Sequence, residues 1–217
     1  YSMDYTNKEK SYYVNERPEM LAFFPKDAKT VLDVGCGQGS FSKQIKEIYD
    51  TETWGIEYMS SHAMEADKIL DKVFSGPCED FLDVLPNDFF DVIYFNDVLE
   101  HLVDPYDVLK KIKSKLTTNG IIISSIPNIR YHNSMRMFLF GKDWKYEDSG
   151  VMDHTHMRFF TKKSIKRMYE DAGYKVLENK GINRSRSLKP HFMNLLLLFS
   201  ASDIYYPQFA TVVSTDG

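Results

Sequence analysis

The chain has 217 residues, enough for one α/β domain with a full core. A net charge of −4, from 27 Lys and Arg against 31 Asp and Glu, leaves no basic footprint for nucleic acid. The longest apolar run, at 195–199, is far short of the about 20 residues a membrane span needs.

Cys36 and Cys78 are the only cysteines. They form no disulfide framework and point to a reducing, cytoplasmic setting. No signal peptide, internal repeat or low-complexity linker is visible. The content of 15 Phe and 14 Tyr suits an aromatic-lined pocket as well as a core.

Residues 1–10 are polar and read as frayed. A short helix is predicted over 11–24, with Tyr12, Tyr13, Met20, Leu21 and Phe24 on its apolar side and Arg17 on its surface. The run Val31-Leu32-Asp33-Val34 then reads as a buried strand. It breaks into Gly35-Cys36-Gly37-Gln38-Gly39, where glycine at alternate positions permits positive φ and close approach of a ligand. A helix follows over 40–49, with Phe41, Ile45, Ile48 and Tyr49 on one face. Strand, glycine loop and helix make the unit at which open α/β sheets bind nucleotide-like ligands.

The loop narrows the ligand. A dinucleotide fingerprint needs glycine three residues after its second one, and Ser40 stands there. No G-x-x-x-x-G-K-[ST] phosphate cradle is present. Asp33 lies two residues before the first glycine, poorly placed for a pyrophosphate and well placed for an ammonium or hydroxyl. The ligand is therefore expected to carry an amine and a ribose and no phosphate, and S-adenosylmethionine fits.

Strand two is predicted over 53–56 and ends in Glu57, placed as the ribose clamp of nucleoside-binding folds. Tyr58 and Met59 follow as candidates to flank the base. A helix is expected over 60–70, strand three over 72–74, and another helix over 80–85. Strand four is predicted over 91–95. Asp104 then serves as N-cap and Pro105 as first residue of a helix that Asn119-Gly120 is expected to end.

Strand five, over 121–126, is continuous and apolar, hence central. The segment 128–160 is too long for a plain connector and is expected to cap the reacting face. Thr161 caps a helix over 162–172, and strand six is expected over 175–177. A short buried helix is predicted over 192–199 and a last strand over 209–214.

The glycine loop resembles motif I of the class I S-adenosylmethionine-dependent methyltransferases. That resemblance implies a Rossmann-like, doubly wound α/β fold: a seven-stranded, mostly parallel sheet with an antiparallel last strand and helices on both faces. It implies one domain over 1–217, with a helical lead at 1–27. It further implies that Arg17 meets the cofactor carboxylate and that Gly35, Cys36, Gly37 and Gly39 wrap its tail. The loop with Cys78, Glu79 and Asp80 would hold the adenine, although Pro77 stands where many members have an acid. Asn96, Asp97 and Val98, ahead of Leu99-Glu100-His101-Leu102, would receive the methionine amine.

The later runs Ile126-Pro127-Asn128-Ile129-Arg130, Phe140 to Tyr146 and Asp153 to Thr161 are similar to a bacterial subgroup near the ubiquinone-biosynthesis O-methyltransferases. Members of that subgroup are often tied to surface polysaccharide or O-antigen synthesis. A hydroxyl acceptor, on a sugar, sugar nucleotide or other small molecule, is the expected substrate, and S-adenosylhomocysteine the product. An alcohol needs a base. His156, His101 and His154 are the candidates, although the usual subgroup run has Arg at the His154 position.

Asp153, His154 and His156 could instead hold a divalent metal, the lesser reading, and no metal is expected. An alternative pairing would join Asp153 to Arg158. Two other functions keep the same strand–loop–helix: a nicotinamide oxidoreductase, and a cofactor-binding protein without turnover.

Overall fold

The structure is a computed structural model that describes residues 17–215. The predicted helix start at 11–16, with Tyr12 and Tyr13, lies outside the described residues. Its remainder is one short turn, α1 (Pro18–Leu21), entered through Arg17 in a left-handed conformation (φ 42°). Proline at the first position fits, because that N–H has no helical partner.

The glycine-loop unit forms as predicted: β1 (Thr30–Val34) runs into α2 (Ser40–Tyr49). Then come β2 (Glu52–Glu57), α3 (Ser60–Ala66), β3 (Lys72–Ser75) and β4 (Phe90–Asn96). Pro105–Ile112 forms α4, and the Asp104 carboxylate accepts from the N–H groups of Tyr106 and Asp107, both at 3.1 Å. Leu116–Pro127 forms β5, His132–Leu139 α5, and Lys162–Asp171 α6, which opens with a capping box between Thr161 and Ser164. The chain ends with β6 (Lys175–Ile182), α7 (Lys189–Leu196) and β7 (Gln208–Ser214).

The seven strands form one sheet in the order β3-β2-β1-β4-β5-β7-β6. The ladders among β1 to β5 are parallel, and β7 runs antiparallel between β5 and β6. The order reverses between β1 and β4, so a crevice opens at their carboxyl ends. The central strands are apolar on both faces because helices cover both. Leu32, Ile93 and Phe95 belong to one core and Val31, Val92 and Tyr94 to the other.

Four expectations are corrected. No α-helix forms over 80–85; a single 3₁₀ turn, Cys78–Asp80, leads into further turns. Six residues gain too few hydrogen bonds to offset helix nucleation. Asn119-Gly120 does not stop α4, which ends at Ile112; both lie inside β5. Gly120 is there because β4 passes close: an added Cβ would stand 2.8 Å from the Phe90 carbonyl oxygen. β6 extends well beyond the expected three residues, since β7 pairs along its length to Ile182. Finally, α7 is not buried: Phe192 is 72% and Leu196 66% exposed.

Replacing Asp104 by Ala should remove the α4 cap and cost about 1 kcal/mol. Thermal unfolding should then fall by roughly 2–4 °C. An unchanged midpoint would show that water replaces the cap without loss.

Candidate active site

The crevice between β1 and β4 holds a cavity of about 370 Å³. Arg17, Asp33, Glu57, Glu79, Asn96 and His101 are the polar side chains that decide its chemistry. All are contributed by segments at or just beyond strand ends, except Arg17, which precedes α1.

Asp33 is 2% exposed. One carboxylate oxygen accepts from the Ser42 hydroxyl at 2.5 Å. The other, Oδ1, has no hydrogen-bond partner, and neither does either polar atom of the Asn96 side chain. Burial pushes the Asp33 carboxyl up to about 7, against the Ser42 hydrogen bond and the Arg17 charge, which pull it down. Buried polar atoms left unpaired are costly, so their concentration in one cavity points to a polar ligand.

Glu57 shapes the glycine loop. Its two oxygens accept from the N–H groups of Gly37 (2.9 Å) and Met59 (2.8 Å). Burial raises its pKa, and those two hydrogen bonds oppose the rise. Each oxygen keeps a second lone pair for an incoming hydroxyl. Gly37 and Gly35 take φ of 57° and 76°, and a Cβ on Gly35 would meet Val98 Cγ2 at 2.5 Å. Glycine at 35 is thus what lets the loop after β1 pack against the loop after β4.

Asp97, also at positive φ (56°), is fully engaged. Its carboxylate accepts from Ser125 Oγ at 2.9 Å and from Gln208 Nε2 at 2.9 and 3.0 Å, and pairs with Arg17 at 3.0 Å. Burial lowers the Arg17 pKa, but Asp97 and Glu19 outweigh it and hold the guanidinium charged.

The remaining cofactor candidates divide. Tyr58, Met59, Cys36, Cys78 and Val98 line the cavity. Cys36 packs its sulfur with Ala66 and Leu70, so its face toward the cavity is a wall. Burial pushes both thiols up, which makes them poor nucleophiles. Of the two acids expected near the adenine, Glu79 lines the cavity and Asp80 does not. Gly39 is also set back, caught against Ala66 at φ 82°.

The three candidate bases separate as well. His101 lines the cavity. Its Nδ1 is 3.1 Å from the Thr155 carbonyl. A carbonyl only accepts, so Nδ1 carries a proton, and in the neutral ring the lone pair is on Nε2. His156 is pinned the same way by the Val151 carbonyl at 3.1 Å, and its Nε2 stands 3.9 Å from a Glu100 carboxylate oxygen. The two rings meet edge to face at 4.8 Å.

His154 is apart, half exposed, with Nδ1 at the Glu147 carbonyl. Among the described residues, the metal-capable grouping is accordingly not Asp153, His154 and His156. Glu100, His101 and His156 bring ligand atoms within 4.8 Å of one another. The Asp153 carboxylate instead accepts from the N–H and hydroxyl of Thr155, and Arg158 donates to the Val103 carbonyl.

Two participants escaped the sequence. Ser42 gave no signal, because only the α2 packing brings it to Asp33. Glu100 was visible inside Leu-Glu-His-Leu, but nothing local ties it to a residue 56 positions on, His156.

Residues 6–179 match the methyltransferase domain family. The chain belongs to that family. S-adenosylmethionine is its cofactor, and the nicotinamide alternative is set aside. The ubiquinone biosynthesis O-methyltransferase of Aeromonas salmonicida is 27% identical over 162 residues, covering 71% of this chain and 66% of that one. Its counterpart in Cereibacter sphaeroides is 24% identical over 170 residues, 76% of this chain and 67% of that one. The chain therefore spans about two thirds of the length of these relatives.

The fold is shared with a methyltransferase from Archaeoglobus fulgidus (TM-score 0.69, 20% identity, 90% of this chain and 89% of that one). It is shared too with one from Thermotoga maritima (TM-score 0.65, 18% identity, 94% and 89%). No helix among the described residues is long and apolar enough to cross a membrane.

Asp33 should make ligand-free stability depend on pH. Its native pKa of about 7 lies above the unfolded value near 3.9, so the native state holds the proton more tightly. Stability is therefore lost as pH rises from about 4 to about 7. Asp33→Asn should stabilise the ligand-free protein by a few kcal/mol at pH 8 and by less at pH 5. Urea unfolding at the two pH values checks this; an equal gain at both would show that the carboxyl does not titrate in that range.

Proposed function

We propose that this methyltransferase methylates a hydroxyl of a small acceptor, a sugar or sugar nucleotide, with His101 or His156 as base. The observation that carries the proposal is that His101 shares one cavity with Asp33 and Asn96, its Nδ1 proton fixed on a carbonyl. When bound, S-adenosylmethionine supplies a methyl already activated by its sulfonium.

In this reading Asp33 Oδ1 and Asn96 take the amine of the amino-acid tail, and Arg17 its carboxylate. Glu57 holds the ribose hydroxyls, with the N–H groups of Gly37 and Met59 fixing its geometry. Tyr58 and Met59 flank the adenine, and Glu79 accepts from its amine. His101 Nε2 removes the proton of the acceptor hydroxyl as that oxygen meets the methyl in line, about 3 Å away. The neighbouring His156 and Glu100 stabilise the imidazolium that forms.

The cap at 128–160 favours a sugar. Trp144 and Tyr146 are half exposed, and their rings cluster with Phe159 at 5.2 and 6.2 Å. Phe159 in turn lies 6.2 Å from the His156 ring. Exposed aromatic faces beside a base suit the apolar C–H face of a pyranose. The curated relatives named as O-methyltransferases support oxygen as acceptor atom. The single-domain organisation, helical lead and cytoplasmic setting belong to the same proposal.

A second reading rests on Glu100, His101 and His156 as ligands of a divalent cation, which would take over activation of the hydroxyl. Chelation decides between them: turnover that survives exhaustive EDTA treatment supports the histidine base. Turnover lost to EDTA and restored by one cation supports the metal.

Asp33→Ala and Glu57→Ala should each weaken S-adenosylhomocysteine binding on the order of a hundredfold or more, read by calorimetry. Unchanged affinity would refute those roles. His101→Ala should keep that affinity while turnover of a glycan acceptor falls about 10²–10⁴-fold. Wild-type turnover in both His101→Ala and His156→Ala would clear the histidines of catalysis, and binding without any transfer would leave the binding-protein alternative.

A further inference from the structure

α7 turns its apolar side outward. Pro190, Met193 and Asn194 are buried, while Leu188, Phe192, Leu195, Leu196 and Phe199 are exposed. Leu188, Phe192, Leu195 and Leu196 recur at i, i+4, i+7 and i+8, a single helical stripe. Beyond the helix, Leu198 and Phe199 take φ of 52° and 59° and are 87% and 70% exposed. Two successive bulky residues in the left-handed region cost energy, and here that strain displays apolar side chains to solvent.

α5 extends the same surface. Met135 of α5 packs on the cluster of Met193, Ala201, Ile204 and Tyr205. His132 Nε2 and Ser185 Oγ stand 3.1 Å apart. Past that junction α5 leaves Phe138, Leu139 and Phe140 exposed.

The charge of this surface is mainly positive, with Asp143 and the Arg130-paired Asp203 at its borders. Residues 129–142 and 183–202 contain no acid, in a chain of net charge −4. Arg136, Lys142, Arg184, Arg186 and Lys189 are exposed and enter no ion pair among the described residues. Burial first, then Lys189 and Arg136, hold the His132 pKa down, so cations of both helices converge on one side.

We infer that α5 and α7 together form an interfacial docking surface for an anionic phospholipid bilayer. An outward apolar stripe rimmed by cations without acid partners among the described residues, Arg184 stacked on Tyr205 at 5.1 Å, is the composition that lies in a headgroup layer. A second copy of the chain fits less well, because a two-fold contact would set these cations of each copy near those of the other.

The test is co-sedimentation of the full chain with vesicles of phosphatidylcholine alone or doped with phosphatidylglycerol. Binding should need the anionic lipid and weaken with salt. Arg184→Ser with Arg186→Ser should weaken it roughly thirtyfold, and Phe192→Ser with Leu196→Ser on the order of a hundredfold. Affinity for S-adenosylhomocysteine should not change in either pair, which confirms folding. No binding, equal binding to neutral vesicles, or wild-type binding by both pairs would overturn the inference. So would a dimer in sedimentation velocity that Phe192→Ser with Leu196→Ser converts to monomer.

Discussion

Two buried carboxylates on neighbouring parallel strands set the terms for this molecule. Asp33 is the next-to-last residue of β1, opposite Gly55, and Glu57 ends β2 two residues beyond that partner. Both are taken out of water, and the nearby Glu57 charge adds to the cost of ionising Asp33. A chain selected for stability alone would not put them there. The surrounding donors partly offset the cost: Ser42 for Asp33, the N–H groups of Gly37 and Met59 for Glu57. Those same bonds give the glycine loop its shape. The loop is folded around a carboxylate before any ligand arrives.

What the sequence disclosed was local. The glycine loop, the Asp104 cap and the Thr161 cap are written in adjacent residues, and each formed where it was read. The β2 acid was legible because strand and carboxylate are contiguous. What stayed hidden depended on distant neighbours. Gly120 looked like a helix stop, but its role is to let β4 approach. The run at 195–199 looked like core, since hydrophobicity does not tell which face a fold will cover. His101 and His156 carried no mutual signal across 55 residues, and only the return of the cap brought their rings together.

The cap is tied to the post-β4 segment by backbone as well as rings. The N–H groups of Met157 and Arg158 both donate to the Glu100 carbonyl, at 2.9 and 3.1 Å. Thr155 offers its carbonyl to His101 while its own hydroxyl and N–H are held by Asp153. The imidazole is therefore oriented by groups that are themselves anchored. Such second-layer support is what keeps a ring fixed through a proton transfer.

The placing of β7 bears on how the molecule is assembled. β6 is bonded in the sheet through β7 alone, and β5 takes β7 as its second neighbour. β7 nevertheless leaves the ribosome after both. Until it emerges, β5 presents an open edge and β6 has no neighbour to dock on, so this half of the sheet closes only after β7 is made. Gln208, the first residue of β7, also supplies two of the contacts that hold Asp97. The Asp97 side of the crevice is thus braced only once β7 has docked.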